Sequence, residues 1–527
     1  MADNMTMKAQ GRYESLDTNR SPFLQRAREC AELTIPGLMP PEGTTGTMEL
    51  PTPFQGVGAR GTNNLAAKLL LALFPPGGNF FRLTVDESVL SELKKAAGAG
   101  GDPTAEIEEA LQDIEQTVVT RFDQKGNRTV CFETVKQLIV CGNALLQILK
   151  DGSLKMYRLD SYMVKRDLEG NPMEIITKEM LSLLNLPPKA REIVEADPEY
   201  AADKDKSGED TIALYTRVSR TTRGWSVHQE ILDTEVPGSK GSYPKKKPAF
   251  LPLRWNAVPG EDYGRGHCEE YLGDLRSLES LSRSIVEFAA AVSKILFLVN
   301  EAGVTSKKKL VKAPSGSVID GNAKDVEVLQ VEKFADFKVA ESVATKIENR
   351  LEEAFLLNKS IQRNAERVTA EEIRFMASEL EQTLGGVYST LAQEMQRPLV
   401  IRLMSVMTRS KDLPALPDDA IAPQIITGLE GLGRSSDLMK LDVLVNGMAQ
   451  TFGPEAVSEY VNPGAYMQRR ATALGIEIEG VIRSEEEVTQ MRQQKMMAEM
   501  AGKVGPSAMN AMSAAAEGER EKPTGGE

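Results

Sequence analysis

Gly56-Val57-Gly58-Ala59-Arg60-Gly61 carries the G-x-G-x-x-G spacing, which in a strand-turn-helix unit lets backbone approach a pyrophosphate at a helix N-terminus. That chemistry needs a buried strand directly before the first glycine. Leu50-Pro51-Thr52-Pro53-Phe54 stands there instead, and two prolines cannot serve a central strand. The glycines are therefore expected to permit close helix packing. His267 beside Cys268 could pair a base with a nucleophile, but residues one apart on a helix do not face each other, so an ordinary helix start is expected. The four cysteines, Cys30, Cys131, Cys141 and Cys268, are scattered without C-x-x-C spacing, and the two histidines are His228 and His267. Neither a disulfide framework nor a zinc site follows from that pattern. The chain has no G-x-x-x-x-G-K-[ST], G-x-S-x-G or H-E-x-x-H, the signatures of phosphate cradling, serine hydrolysis and zinc proteolysis. Acidic pairs such as Glu269-Glu270 and Glu352-Glu353 read as solvated helix faces. The clusters Lys245-Lys246-Lys247 and Lys307-Lys308-Lys309 with Lys312 read as solvated loops or nucleic-acid contacts. No catalytic residue, cofactor site or metal ligand is expected, and the chain reads as a non-enzyme.

Composition narrows the class further. The chain has 527 residues, 41% hydrophobic and 26% charged, the balance of folded globular material with core enough for several domains. A formal net charge of −13 argues against a protein that grips nucleic acid statically, because tight phosphate binding needs many Lys and Arg to release counterions. Met1 to Arg20 is polar and lacks the apolar core of a signal peptide. The apolar stretches Leu65 to Phe74 and Phe288 to Val299 each contain a lysine and fall short of the ~20 residues that span a bilayer.

The elements that position these residues are mainly helical, with an α+β section. Tyr13 to Ile35, Phe54 to Phe74 and Ala105 to Phe122 read as helices, and Phe132 to Leu149 as a buried helix or a helix running into a strand. Leu154–Arg166, Met173–Thr177, Thr211–Ser219, Trp225–Leu232 and Phe250–Trp255 are short β-branched or aromatic runs between turn clusters. From Leu272 to Val299, apolar residues recur every three or four positions, predicting one helix of about 45 Å at ~1.5 Å per residue. Asn300 to Ala335 interrupts with glycines, Pro314 and two β-like runs, around Val318 and from Val326 to Val331. A second helix carries the stripe Val339, Val343, Ile347, Leu351 and Phe355. Lys359 to Val368 is polar and basic, and Thr369-Ala370-Glu371-Glu372 opens a third helix with a capping box. That helix contains Gly385-Gly386, where a kink is expected, and Pro398, where a second bend is expected. Pro414 to Pro423 is a linker, followed by further helices and a Gly, Ala, Ser and Glu tail that cannot bury a core.

Four blocks stand out. They are Thr52-Pro53-Phe54-Gln55-Gly56-Val57-Gly58-Ala59-Arg60-Gly61 continuing through Asn63-Asn64-Leu65-Ala66; Tyr157-Arg158-Leu159-Asp160-Ser161-Tyr162; Tyr263-Gly264-Arg265 with Glu270-Tyr271-Leu272-Gly273-Asp274-Leu275-Arg276; and Glu366-Arg367-Val368-Thr369-Ala370-Glu371-Glu372-Ile373-Arg374 through Gly385-Gly386-Val387-Tyr388. In this order they resemble the head-to-tail connectors, or portals, of short-tailed bacteriophages of the autographivirus type. The resemblance covers Tyr13 to Gly480 and departs in the loop from Pro187 to Gly208 and in the tail. It implies an α+β, mainly helical portal fold with wing, stem, clip and crown, assembled as a ring of twelve. On that plan residues 1–262 are a wing of N-terminal helices plus the mixed region, 263–299 the first stem helix, 300–335 the clip and 336–357 the second stem helix. Residues 358–369 are a channel loop, 370–410 a long kinked wing helix, 411–501 a linker with crown helices, and 502–527 a flexible tail.

The family's function is a structural one: the ring forms the channel for packaging and ejecting a double-stranded DNA genome, without a cofactor. The resemblance implies that the clip, with Lys307, Lys308 and Lys309, docks the terminase large subunit and a tail adaptor (tail tubular) protein. Major capsid, scaffolding and internal core proteins are further expected partners, and no membrane is involved. The expected place is the head-tail vertex of the virion, with assembly in the host cytoplasm. Lys359, Arg363 and Arg367 are expected to face the channel and touch DNA; a solvent-exposed loop, or intersubunit ion pairs with Glu366 or Glu371, is the competing reading. Two other functions remain open from sequence: a nucleotide-binding enzyme using Gly56 to Gly61, and a virion adaptor that is not a portal.

Overall fold

The computed structural model describes residues 7–76, 79–84, 104–198, 211–292, 296–300, 302–329, 334–357, 370–413, 424–427, 434–453 and isolated positions between 460 and 495. The chain divides into two compact units, Met1–Val89 with Asp113–Leu432, and Leu90–Gln112 with Gly433–Glu527. In chain order the elements begin with α1 (Ala9–Glu32), α2 (Val57–Leu73), β1 (Phe81–Thr84), α3 (Thr104–Gln124), α4 (Asn127–Cys141), β2 (Asn143–Ile148), β3 (Leu154–Tyr157), β4 (Tyr162–Arg166), β5 (Pro172–Ser182) and α5 (Pro188–Glu195). There follow β6 (Thr211–Arg220), β7 (Gly224–Ile231), β8 (Thr234–Glu235), β9 (Gly241–Pro244), β10 (Phe250–Arg254), α6 (His267–Glu270), α7 (Leu272–Val292), β11 (Leu296–Val299), α8 (Lys307–Lys312), β12 (Val326–Leu329) and α9 (Phe334–Ala354). The last are α10 (Ala370–Thr383), α11 (Val387–Leu391), α12 (Arg397–Ser410), β13 (Gln424–Thr427) and α13 (Arg434–Phe452).

The mixed region is two sheets, one ordered β10-β2-β3 and one ordered β4-β5-β6-β7-β8 with β9 on the side of β7. The run from Leu154 to Arg166 is two strands, not one, because Leu159–Ser161 makes a 3₁₀ turn between them. The larger sheet is covered by α1, whose Ala9, Tyr13 and Leu16 pack against Met163, Ile176 and Tyr215. Spacing of three and four residues puts those side chains on one stripe. Charge fastens the same contact: Arg12 and Arg217 flank Glu174 at 3.0 and 2.6 Å, and the Glu230 carboxylate accepts from the Ala9 amide at 2.7 Å. The short α5 covers Leu214, Ile231 and Val236 with Ala190 and Val194.

Three stretches differ from the sequence expectation. The helix expected to run from Leu272 to Val299 stops at Val292, and Leu296–Val299 is instead strand β11, antiparallel to β12 with Leu296 opposite Leu329 and Val299 opposite Val326. A four-residue apolar run satisfies a helical or an extended pattern equally well, and a partner some thirty residues away decides between them. Val318, expected in a β-like run, is 99% exposed in an irregular loop. The helix over 370–410, expected to kink at Gly385-Gly386, breaks there instead: Gly385 and Gly386 adopt φ of 60° and 88°, values open to glycine at little steric cost. Gly386 closes the end of α10 by donating to the Glu381 carbonyl at 3.3 Å, and the Glu381 carboxylate accepts from the Ser389 amide (3.0 Å) and hydroxyl (2.7 Å) beyond the break. Ahead of Pro398 the helix widens into a π turn over Ala392–Gln396, which accommodates the missing proline N–H.

The second unit is represented by α13, on which Val443 and Leu444 are exposed, and by Asp442, which accepts from Tyr466 and pairs with Arg470 at 3.3 Å.

Candidate functional site

The glycine segment lies at the start of α2 and is built for packing. A Cβ on Gly58 would lie 2.6 Å from the Leu33 carbonyl oxygen, and one on Gly61 would lie 2.6 Å from Cγ of Phe355, whereas one on Gly56 meets nothing within 4 Å. Amides in and just before this turn are engaged by protein groups. The Glu279 carboxylate of α7 accepts from the Phe54 and Gln55 amides at 2.9 and 3.2 Å, and Gln55 Oε1 accepts from the Gly58 amide at 2.9 Å. A carboxylate from another helix thus fastens the chain that leads into α2.

The opposite end of α2 is held as well. Tyr388 Oη donates to the Ala72 carbonyl at 3.1 Å, the Gln396 amide donates to Leu73, and Arg128 donates to Phe74 and, at 2.9 Å, to Pro75. Both α9 and α10 pack on α2. The block Thr52 to Leu73 is thus the seat for helices that arrive almost 300 residues later. Sequence reasoning missed this role. The available signal was Asn64 and Lys68, one turn apart beside the buried Leu65 and Leu69.

Helices α7 and α9 form an antiparallel pair, since Arg350 reaches Asp274 at 2.6 Å near one end and Phe288 stacks on Phe337 at 5.2 Å near the other. Their apolar stripes are covered unevenly. Leu275, Leu278, Ile347, Leu351 and Phe355 are buried, yet Val286, Val339 and Val343 are 51%, 64% and 41% exposed. The insert between the two helices is organised by Asp325, whose carboxylate accepts from the amides of Val304 (2.9 Å) and Thr305 (3.1 Å) and from the Thr305 hydroxyl (3.0 Å). Gly303 and Gly321 permit the close approach, because a Cβ on either would collide with Asp325 or Thr305. On this insert Lys307, Lys308 and Lys309 lie on the exposed α8, beside a shallow groove formed by Lys312, Pro314, Val318 and Asp320. Lys245, Lys246 and Lys247 follow β9, and the Lys247 carbonyl receives a long 3.5 Å contact from Arg402. Lys359, Arg363 and Arg367 lie outside the described residues, as do residues 502–527.

His267 and Cys268 are both buried and do not form a dyad. His267 Nε2 donates to the Ala354 carbonyl at 3.0 Å at the end of α9, with its ring among Trp255, Tyr271 and Phe355. Burial raises the Cys268 thiol well above its ordinary range and pushes Cys30 up to about 12, so neither is a ready thiolate. Among the described residues no group of three or more His, Cys, Asp or Glu could hold a metal, and no helix is long and apolar enough to cross a membrane.

Burial also lowers the His267 pKa, against the smaller opposing effects of the Ala354 carbonyl and Glu270. The unfolded chain takes up a proton near 6.5, and the folded chain does so only at lower pH. The unfolded state then binds more protons, so this contribution to stability is complete above pH 6.5 and is lost as pH falls below it. Between pH 7 and 5 the wild type is expected to lose stability more steeply than His267→Gln, by up to ~1.4 kcal/mol per pH unit. Parallel denaturation curves across that range would overturn the assignment.

Residues 6–482 match the family described as bacteriophage head to tail connecting protein. The chain is 41% identical to the portal protein of Escherichia phage T7 over 492 residues, covering 92% of this chain and 90% of that protein. It is 41% identical to the portal protein of Enterobacteria phage T3 over 487 residues (91% and 89%) and 33% identical to that of Enterobacteria phage SP6 over 490 residues (92% of each). That match and these relatives place the chain in the head-to-tail connector, or portal, family of short-tailed bacteriophages.

Proposed function

We propose that the chain assembles into a ring of twelve whose axial channel passes the double-stranded genome during packaging and ejection, at the head-tail vertex of the virion after assembly in the host cytoplasm. The supporting observation is the apolar stripe of α7 and α9. Its far half, with Val286, Val339 and Val343, is left open by the hairpin, and neighbouring copies around an axis would cover it. On this reading the helices within 263–299 and 336–357 are the stem, 300–335 the clip, and 358–369 the channel loop bearing Lys359, Arg363 and Arg367. Residues 1–262 with 370–410 are the wing, hinged at Gly385 and Gly386, and 411–501 contribute the crown. The net charge of −13 suits a conduit, since a wall without dense lysine gives DNA no deep phosphate wells in which to stall. Negative-stain images of the purified protein should show annuli. A well-folded monomer at micromolar concentration, without annuli, would sink the reading.

The clip is the proposed dock for the terminase large subunit and the tail adaptor, while the wing and crown meet capsid, scaffolding and internal core proteins. Replacing Lys307, Lys308 and Lys309 together by glutamate reverses the local charge from +3 to −3. Ring assembly should survive, and packaging or tail attachment should fall at least about tenfold, as expected when charge complementarity at a docking surface is inverted. Collapse of the ring would mark the lysines as structural instead.

A further inference from the structure

We propose that Asn64 and Lys68 are positioning residues which cap the carboxyl end of α9 and so fix the point at which the chain leaves the second long helix. Asn64 Nδ2 donates to the carbonyls of Phe355 (3.2 Å) and Leu356 (2.9 Å), and the Lys68 ammonium donates to Leu356 at 2.9 Å. The carbonyls at a helix end have no partner within the helix and carry a negative partial charge. A buried cation and a side-chain amide from α2 supply both the hydrogen bonds and the charge.

Two further observations make this more than ordinary packing. Lys68 is only 8% exposed and has no carboxylate partner among the described residues. A buried ammonium of this kind is costly, and the α9 carbonyl provides its compensation. Leu356 holds φ of 53°, a left-handed value rare for a leucine, which turns the chain off the helix at the very residue both side chains grip. His267 holds Ala354 two residues earlier, and Gly61 lets Phe355 lie against α2. The helix after residues 358–369, α10, packs on α2 as well. One helix thus seats both elements that flank the segment carrying Lys359, Arg363 and Arg367.

The functional consequence rests on the portal reading: the seat sets the position of the stem's inner end while DNA is held. In assembled rings Lys68→Met should leave ring size unchanged and raise amide exchange at residues 355–357 by about tenfold or more, since their hydrogen bonds open without global unfolding. DNA retained in filled heads should drop several-fold, and Lys68→Arg, which still donates, should restore both. If Lys68→Met gives no rings, Asn64→Ala carries the same two measurements, because it removes two hydrogen bonds without unpairing a charge. Unchanged exchange in these variants, or raised exchange with normal retention, overturns the proposal. Failure of the portal reading itself would look different, as wild-type protein that forms no ring and retains no DNA.

Discussion

Gly142→Ala is expected to lower stability by about 3 kcal/mol or more, the range reached when backbone strain and core overlap act together. Gly142 ends α4 with φ of 72°, where an added Cβ costs roughly 1–2 kcal/mol on conformation alone. Its Cβ would also lie 2.5 Å from the Arg265 carbonyl carbon and 2.9 Å from the Gly264 oxygen, and backbone cannot rotate aside as a side chain can. The neighbourhood is tied from both directions. Asn143 exchanges a pair of 2.7 Å hydrogen bonds with the amide and carbonyl of Gly264, and Trp255 donates to the Gly142 carbonyl at 2.9 Å. Two controls grade the effect. Gly126→Ala has φ of 67° but open space around it and should cost only the conformational ~1–2 kcal/mol; Gly56→Ala, open and at negative φ, should be close to neutral. Denaturant melts of the three variants check the order, and a Gly142→Ala loss no greater than that of Gly126→Ala would refute the packing account. Near-neutrality of Gly56→Ala also separates this segment from a dinucleotide site, in which the first glycine makes the tight turn.

Arg20→Met should cost about 2–3 kcal/mol, the loss expected when buried acceptors lose hydrogen bonds from a charged donor. Arg20 is 7% exposed. Its Nη1 lies 3.1 and 2.9 Å from the carbonyls of Leu159 and Asp160 and 2.8 Å from Tyr13 Oη, while Nη2 pairs with Asp17 at 2.8 Å. Those carbonyls belong to the turn between β3 and β4, inside the Tyr157 to Tyr162 block. Methionine fills similar volume but leaves the Leu159 carbonyl without a donor, at ~1–3 kcal/mol when buried, while Asp160 keeps only the 3.0 Å bond from Tyr13 Oη. Arg20→Lys should recover less than half, since an ammonium lacks the planar fork that spans several acceptors. A thermal or denaturant melt within 1 kcal/mol of wild type for Arg20→Met would refute this, because the buried Leu159 carbonyl would then have been shown to need no partner.

What the sequence alone determined is what local backbone geometry controls. The period of apolar positions predicts α1, α2 and most of α7 and α9, because a helix repeats every 3.6 residues whatever packs against it. Gly385-Gly386 marks a break for a similarly local reason, the backbone freedom of glycine. The non-enzymatic reading was legible too, since each chemical motif failed on its own neighbours, as the prolines before Gly56 show. The finer site was not legible. Whether Leu296–Val299 is helix or strand depends on Val326–Leu329, and whether Gly58 or Gly56 is indispensable depends on Leu33, whose carbonyl lies against only one of them. Asn64 and Lys68 look like ordinary polar positions of a helix until Leu356 arrives beside them. These were decided by tertiary structure, because a buried polar group or a missing Cβ takes its meaning from the atom opposite, and that atom lies outside the local segment, from tens to hundreds of residues away in the chain.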